Sequence, residues 1–328
     1  MLTINTERLL RLLDNLAEIG ATEEGGVSRP ALSEADMQAR AWFKEQAVFY
    51  GLDYREDSAG NQSVILPSED ANAKTLLVGS HLDTVPNGGR YDGALGVLAA
   101  FEALLTIKEA RRKLPYHLEC ISFTDEEGTL VGLLGSSALC GTLTAEDLAA
   151  PRGGRERLLE GLKRANLTEE GLLNARRDPA TLAAFLELHI EQGTRLEEAN
   201  IDIGVVTSIV GIRSYWIEYI GQAAHAGTTP MDKRADAFWG AAAFAQQARD
   251  MVMEQFYPGV VNIGAVELSP GAFNIVPERA RLALEFRHGS EGELNAMWAE
   301  LQSLARDIAQ VYNLNVQITH SGSIPAAP

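Results

Sequence analysis

His81, Asp92, Glu126, Glu127 and His189 are the residues whose types and spacing carry chemistry. Two imidazoles, a lone carboxylate and an adjacent glutamate pair are what a two-metal hydrolase needs. They provide ligands for the ions and a spare carboxylate to handle the proton of water. Each group follows a short apolar run: TLLVGS before His81, LECISFTD before Glu126 and AFLEL before His189. Runs of that length read as buried strands. The edge beyond the carboxyl ends of such strands is where open α/β sheets build their sites.

His81 and Asp83 form a His-x-Asp pair, in which Asp83 is placed to take the second ring nitrogen of His81 and orient it. Asp92, eleven residues after His81, precedes Gly93. Its two oxygens can bridge two ions, although Asp before Gly at a helix start is also an ordinary cap. Glu126 and Glu127 are adjacent and so point different ways; one can bind metal while the other takes a proton from water. The bland alternative is a solvated acidic turn, Asp125-Glu126-Glu127-Gly128. By strand alternation His189 shares a face with Glu187 and Glu191. Farther on, His225 lies among small residues in QAAHAG, and Asn274 and Arg287 can together hold a carboxylate, Arg287 through a two-pronged pair. His117, His288 and His320 have no supporting constellation.

The elements that must position these residues are legible as periodicity. Thr6 is expected to cap a helix with an apolar face of Leu9, Leu10, Leu12, Leu13 and Leu16, ending at Gly20. Ser33 to Asp36 reads as a weak capping box for a helix running to Gly51. Strands are expected from Gln62 to Leu66, before His81, and from Leu118 to Phe123, with an apolar helix from about Ala94 to Lys108 between the last two. Residues 142–178 are charged and read as a helical connector or cover. After His189 the pattern changes to strands at 209–220, 260–268, 280–286 and 314–319, with helices at 234–254 and 291–311, a two-layer α+β arrangement. The expected fold is α/β: a mainly parallel-sheet di-metal catalytic domain over 1–207 and a two-layer α+β lid or dimerisation domain over 208–325.

The 328 residues suffice for two cores, and 46% hydrophobic content with a mean hydropathy of -0.07 describes a globular chain. A formal net charge of -17 argues against nucleic acid and anionic membrane surfaces, both of which need basic protein. Cys120 and Cys140 do not have zinc-site spacing and are expected to be reduced thiols of a cytoplasmic protein. Charged residues interrupt the apolar positions of the first helix, so it does not read as a signal peptide.

The segments GSHLDTVPNGGRYDGALGVLA, FTDEEGT, LELHIEQG, GQAAHAGTTPMDKRAD and FNIVPERARLALEFR together resemble the hydantoinase/carbamoylase amidohydrolases of the M20 metallopeptidase clan, over nearly the whole chain. The short interval from His81 to Asp92, and a His at 189 rather than a carboxylate, favour that branch over the peptidases of the clan. The resemblance implies two divalent ions, zinc or manganese. His81, Asp92 and His189 would hold one, and Asp92 and Glu127 the other. It implies Glu126 as general base and then acid, and Asp83 as the partner of His81. Gln192, Asn274 and Arg287 would bind substrate, and His225 would bind substrate and stabilise the oxyanion. It also implies a homodimer through the lid and hydrolysis of the ureido group of a small N-carbamoyl-L-amino acid to ammonia, carbon dioxide and the amino acid. Allantoate amidohydrolase and β-ureidopropionase are the alternatives inside the family. The resemblance further implies a return from the lid carrying a late His for the second ion. No such segment is read before Pro328, so the catalytic domain is expected to be incomplete at its C-terminal end. That expectation brings the further alternative of an inactive remnant acting as a dimeric binding module.

Overall fold

The computed structural model describes residues 2–327. The chain divides into two compact units, one ending at Ala199 and the other beginning at Asn200.

The first unit contains α1 (Thr6–Ala17), α2 (Glu34–Phe49), β1 (Asp53–Glu56), β2 (Gln62–Leu66), β3 (Thr75–His81), α3 (Ala94–Glu109), β4 (His117–Phe123), α4 (Leu134–Cys140), α5 (Ala145–Ala149), α6 (Arg155–Arg164), α7 (Glu169–Leu173), β5 (Leu182–Leu186) and α8 (Arg195–Glu198). Its sheet runs β1-β2-β4-β3-β5. The β4-β3 and β3-β5 pairs are parallel, whereas β2 is antiparallel to both β1 and β4. The sheet is therefore mixed: β1, β3, β4 and β5 share one direction and β2 alone is reversed. The helical crossover from β3 through α3 lands on β4, and the next crossover returns to β5 on the other side of β3. The strand order thus reverses at β3, the arrangement that opens a crevice at the carboxyl ends of strands.

Apolar side chains bury both faces of β2, β3 and β4, whereas β5, expected to be a buried strand, is an edge strand with Phe185 and Leu186 exposed. Leu12, Leu16, Phe43, Phe101 and Leu104 pack with Val64 and Cys120 in the main core, while Leu77, Ile121 and Leu139 pack on the opposite face. Residues 142–178 do more than cover: Leu148, Leu158, Leu162 and Leu172 join Leu32, Leu130 and Leu134 in a core of their own. In α1 the cap is Asn5, whose side chain accepts the Arg8 N–H, and not Thr6. Leu10 is 52% exposed while Leu12 is 2% exposed, so the buried stripe is narrower than the five leucines suggested. Ser33 caps α2, but the Asp36 carboxylate accepts the N–H of Leu32, so the capping box is one-sided. Arg8 ties α1 to α3 through a two-pronged pair with the buried Glu102, at 2.6 and 2.8 Å.

The second unit contains β6 (Gly211–Ile220), β7 (Ala224–His225), α9 (Ala237–Gln255), β8 (Val260–Ser269), β9 (Ile275–Val276), β10 (Arg279–His288), α10 (Glu291–Val311) and β11 (Asn315–Ile324). An antiparallel sheet in the order β11-β6-β10-β8 carries α9 and α10 on one face. Alternate residues of β6 and β10 (Tyr215, Ile217 and Tyr219; Leu282, Leu284 and Phe286) bury against Phe244, Val252, Met297 and Leu301 of those helices. This is the two-layer α+β arrangement. No helix among the described residues is long and apolar enough to cross a membrane.

Candidate metal centre

His81 is the last residue of β3, and Glu126 and Glu127 follow β4 by a short turn. His189 follows β5, which ends at Leu186, so strand alternation does not decide where its ring points. Because β3, β4 and β5 run in the same direction, these three strand ends lie at one sheet edge. Asp92 reaches the same place from the loop before α3.

One atom each from His81, Asp92 and His189 lie within 4.8 Å of one another. Donors about 2.0–2.2 Å from a shared ion stand no more than about 4 Å apart, so a small side-chain adjustment closes the set. His189 Nε2 stands 3.1 Å from Asp92 Oδ1, close to the separation of neighbouring ligands around a tetrahedral ion, about 3.3 Å for such bond lengths. Asp92 Oδ1 is buried and has no hydrogen-bond partner, and a buried carboxylate oxygen left unpaired is costly unless a cation meets it. Each imidazole also has its other nitrogen engaged: Nδ1 of His81 lies 2.9 Å from the Asp83 carbonyl and Nδ1 of His189 lies 2.8 Å from the Ile190 carbonyl. A carbonyl only accepts, so both Nδ1 atoms carry the proton and both Nε2 lone pairs are free for a metal. These residues fit a divalent ion.

Gly93 explains how Asp92 and His81 come so close. Its φ is +62°, and a Cβ there would fall 2.5 Å from three atoms of the His81 ring. Asp92 does not cap α3, whose N-cap residue is Gly93 without a side-chain bond. Its Oδ2 instead accepts a hydrogen bond from Gln192 Nε2 at 2.7 Å. At Gly96 a Cβ would sit 2.4 Å from the Leu188 carbonyl oxygen, so glycine lets α3 lie against the segment that delivers His189.

The glutamates are placed by backbone. Asp83 was expected to orient His81 with its side chain; its carbonyl does so, and its carboxylate stands 3.8 Å from the same nitrogen. That carboxylate accepts the N–H groups of Glu126 and Glu127, at 3.3 and 3.2 Å. Asp125, fully buried with φ +53°, accepts the N–H groups of Leu130, Val131 and Gly132 and folds the chain back behind the glutamates. Asn61 holds the approach to the turn, accepting the Thr124 N–H. Glu126 Oε2 lies 3.5 Å from His81 Nε2. Glu127 is not among the three converging residues. Burial raises its carboxyl pKa, as do Asp92 and Glu126, while His81 and a backbone hydrogen bond with Val85 oppose them. Burial likewise pushes Asp83 well above the usual carboxylate range, with Asp36 and Asp125 adding to the shift and the N–H groups of Glu127 and Glu126 opposing it.

Sequence reading missed Arg29, Asn61 and Asp125. Arg29 is 1% exposed and donates to the carbonyls of Leu16, Ile19 and Leu82, the last lying between His81 and Asp83. Its available signal was an isolated Arg beside Pro30, which says nothing about burial.

In the second unit, His225 pairs with Ile275 across β7 and β9, and the Ala226 N–H donates to the Asn274 carbonyl, so His225 and Asn274 are neighbours. Arg287, on β10, is held by Glu285 at 2.7 and 2.8 Å. Cys120 is buried and Cys140 exposed, and neither is in a disulfide.

The model of peptidase family M20/M25/M40 matches residues 77–327. The chain is 37% identical over 319 residues to an N-carbamoyl-L-amino acid amidohydrolase of Geobacillus stearothermophilus, covering 95% of this chain and 77% of that one. It is 32% identical over 299 residues to an allantoate amidohydrolase of Bacillus subtilis, covering 89% and 71%. Among solved structures, a hydantoinase/carbamoylase family amidase from Burkholderia ambifaria superposes with a TM-score of 0.86 at 33% identity, over 100% of this chain and 80% of that one. The matched stretch takes in His81, Asp92, the glutamate turn and His189 together with the whole second unit, and on that ground the chain belongs to peptidase family M20/M25/M40 and is related to its amidohydrolases.

Proposed function

We propose that this protein hydrolyses the linear C–N bond of the ureido group in N-carbamoyl-L-amino acids. The observation that carries the reading is the convergence of His81, Asp92 and His189, with both Nε2 lone pairs free, beside Glu126. The 37% identity to a relative named for that substrate supports the choice of ureido group.

In this reading His81, Asp92 and His189 would hold one divalent ion, zinc or manganese, and Asp92 with Glu127 would hold a second. Ions so held would supply Lewis acidity and lower the pKa of water. Glu126 removes a proton from water as it adds to the ureido carbonyl. It returns that proton to the terminal nitrogen as the C–N bond breaks and ammonia leaves. The carbamate that remains loses carbon dioxide and frees the amino acid. Asp83 keeps Glu126 in place through the backbone N–H groups it accepts. Gln192, Asn274 and Arg287 recognise the substrate, and His225 supports the oxyanion. The protein acts as a cytoplasmic homodimer through its second unit.

The test is ammonia release by the full chain with zinc or manganese, N-carbamoyl-L-amino acids and allantoate being offered side by side. Turnover of the former, with a loss of about 10²–10⁴-fold in Glu126→Gln and metal content unchanged, is the expected result. Preference for allantoate would favour the second reading, which the 32% identity to an allantoate amidohydrolase keeps in view. Loss of bound metal in Glu126→Gln would make Glu126 a ligand and not the base.

A further inference from the structure

We infer that Gln192 is a positioning residue for Asp92: it holds Oδ2 so that Oδ1 faces the imidazoles, and it occupies the oxygen that a second ion would share. The inference rests on the metal reading above and deepens it.

The two oxygens of Asp92 have different surroundings. Oδ1 is buried, 3.1 Å from His189 Nε2, and has no hydrogen-bond partner. Oδ2 accepts from Gln192 Nε2 at 2.7 Å. Among the described residues that amide is the only hydrogen-bond donor to the carboxylate, because α3 is not capped by the Asp92 side chain. Without it no hydrogen-bond donor among the described residues fixes the plane of the carboxylate. The amide's orientation follows from chemistry: its own oxygen turned toward a carboxylate would be repelled, so the NH2 must face Asp92.

Local backbone explains how a residue three positions after His189 lands on the same carboxylate. Gln192 has φ +55°, a region that non-glycine residues seldom occupy. Its neighbour Glu191 is committed elsewhere, accepting the N–H groups of Arg195 and Leu196 at 2.8 and 3.0 Å. The chain bends at residues 192–194, directly before α8. Glu191 is tied forward to α8 and Gln192 is turned back to Asp92. An unusual backbone conformation held at a ligand is a mark of positioning, and hydrogen bonds to a ligating carboxylate orient it for its ion.

The amide and a second ion would compete for Oδ2: an ion held by Asp92 and Glu127 would need the oxygen that Gln192 Nε2 now occupies, and the Gln192 amide would then be left free for substrate.

The experiment is a calorimetric titration of the metal-free full chain with zinc, without substrate, comparing the parent with Gln192→Leu and Gln192→Asn. Leucine keeps the bulk and removes the donor; asparagine keeps the amide but falls short of Asp92. Circular dichroism establishes that each variant is folded, and Gln192 is exposed, so at least one substitution is tolerated. The expected result is a first binding step weakened by about 10–100-fold in both variants, with the second step tightened relative to the first so that the two steps merge. Two dissociation constants equal to those of the parent would overturn the inference, even if KM rose, because a purely substrate-binding Gln192 leaves a substrate-free titration unmoved. A parent chain that binds no zinc or manganese would instead overturn the metal reading itself.

Discussion

His81 and His189 keep Nε2 free for an ion because each Nδ1–H is spent on a carbonyl, that of Asp83 in one case and Ile190 in the other. Neither tautomer depends on a charged partner, so replacing the Asp83 carboxylate would disturb the glutamate turn before it disturbed His81. His81→Ala and His189→Ala should each lose the ion that the two imidazoles share with Asp92, so zinc content measured by atomic absorption at micromolar metal should fall by about one ion per chain. Unchanged zinc content in both would remove the imidazoles from the centre. Saturating metal should stabilise the parent by about 2.7 kcal/mol at a hundredfold excess over Kd. A chelator should abolish that gain in a thermal melt of the parent and have a smaller effect in either His→Ala variant. Arg29 makes a separate demand. Its buried guanidinium is the counter-charge near Asp36 and Asp83 and the donor to the Leu82 carbonyl. Arg29→Met removes that charge and takes a donor from the buried carbonyls of Leu16 and Leu82 and from that of Ile19, and the expected cost is about 3–5 kcal/mol in urea denaturation. A loss under about 1 kcal/mol would show that the guanidinium is not needed.

Helix α1 is held to α3 in two ways, by a leucine stripe and by the Arg8–Glu102 pair. Leu12 belongs to the main core and Leu10 points outward. Leu12→Ala should therefore cost about 2–5 kcal/mol and Leu10→Ala less than about 0.5 kcal/mol, measured by chemical denaturation of the same preparation. Equal effects would mean that α1 is rotated from the position described. For Glu102, burial pushes the carboxyl pKa up, but the hydrogen bonds from Arg8, the Asn5 N–H and Thr106 outweigh it and hold the group below its ordinary value. The folded chain then binds that proton less tightly than the unfolded chain. The contribution is fully present above the ordinary glutamate value of about 4.3 and fades as pH falls through the lower folded value. Glu102→Gln should accordingly be less stable than the parent at pH 7, with the gap narrowing below about pH 4. A gap that stayed constant with pH would show that the pair acts through shape alone.

At the scale of the molecule the chain divides into two compact units, with an exposed segment of chain following the boundary. Residues 200–208 carry no strand or helix, and Val205 and Val206 are 88% and 77% exposed. Exposed chain of this kind is the preferred site of proteolytic nicking. Limited digestion with elastase should cut first between 200 and 210 and leave two resistant fragments, one for each unit. First cuts inside α6 or α10 would contradict the division at Ala199 and Asn200. The net charge of -17 belongs to this scale as well. It bears on solubility and on which partners are repelled, and it leaves the fold unspecified.

Periodicity and apolar runs were enough to locate most elements, because burial on one face writes itself into spacing. The sequence-based span for α10, residues 291–311, agrees with the structure, and β3, β4 and α3 lie within a residue or two of theirs. Ligand types after strand ends were legible for the same reason, since a parallel sheet delivers its strand ends to one edge. Spacing could not show which groups meet. Whether Asp92 capped a helix was open in the sequence; in the structure the N-cap of α3 is Gly93 without a side-chain bond, and its positive φ, with His81 packed against it, sets Asp92 beside the imidazoles. The orienting group of His81 proved to be a backbone carbonyl, which every residue has and no motif records. Arg29 and Asn61 were invisible because their work is done by burial and by hydrogen bonds to main chain far away in sequence, at separations of 53 residues for Arg29 to Leu82 and 63 for Asn61 to Thr124, whereas Asp125 bonds N–H groups only a turn ahead and what spacing hid was its burial. Residue type and local period determined what chemistry was available; only tertiary structure, by closing those long separations, decided which atoms face one another.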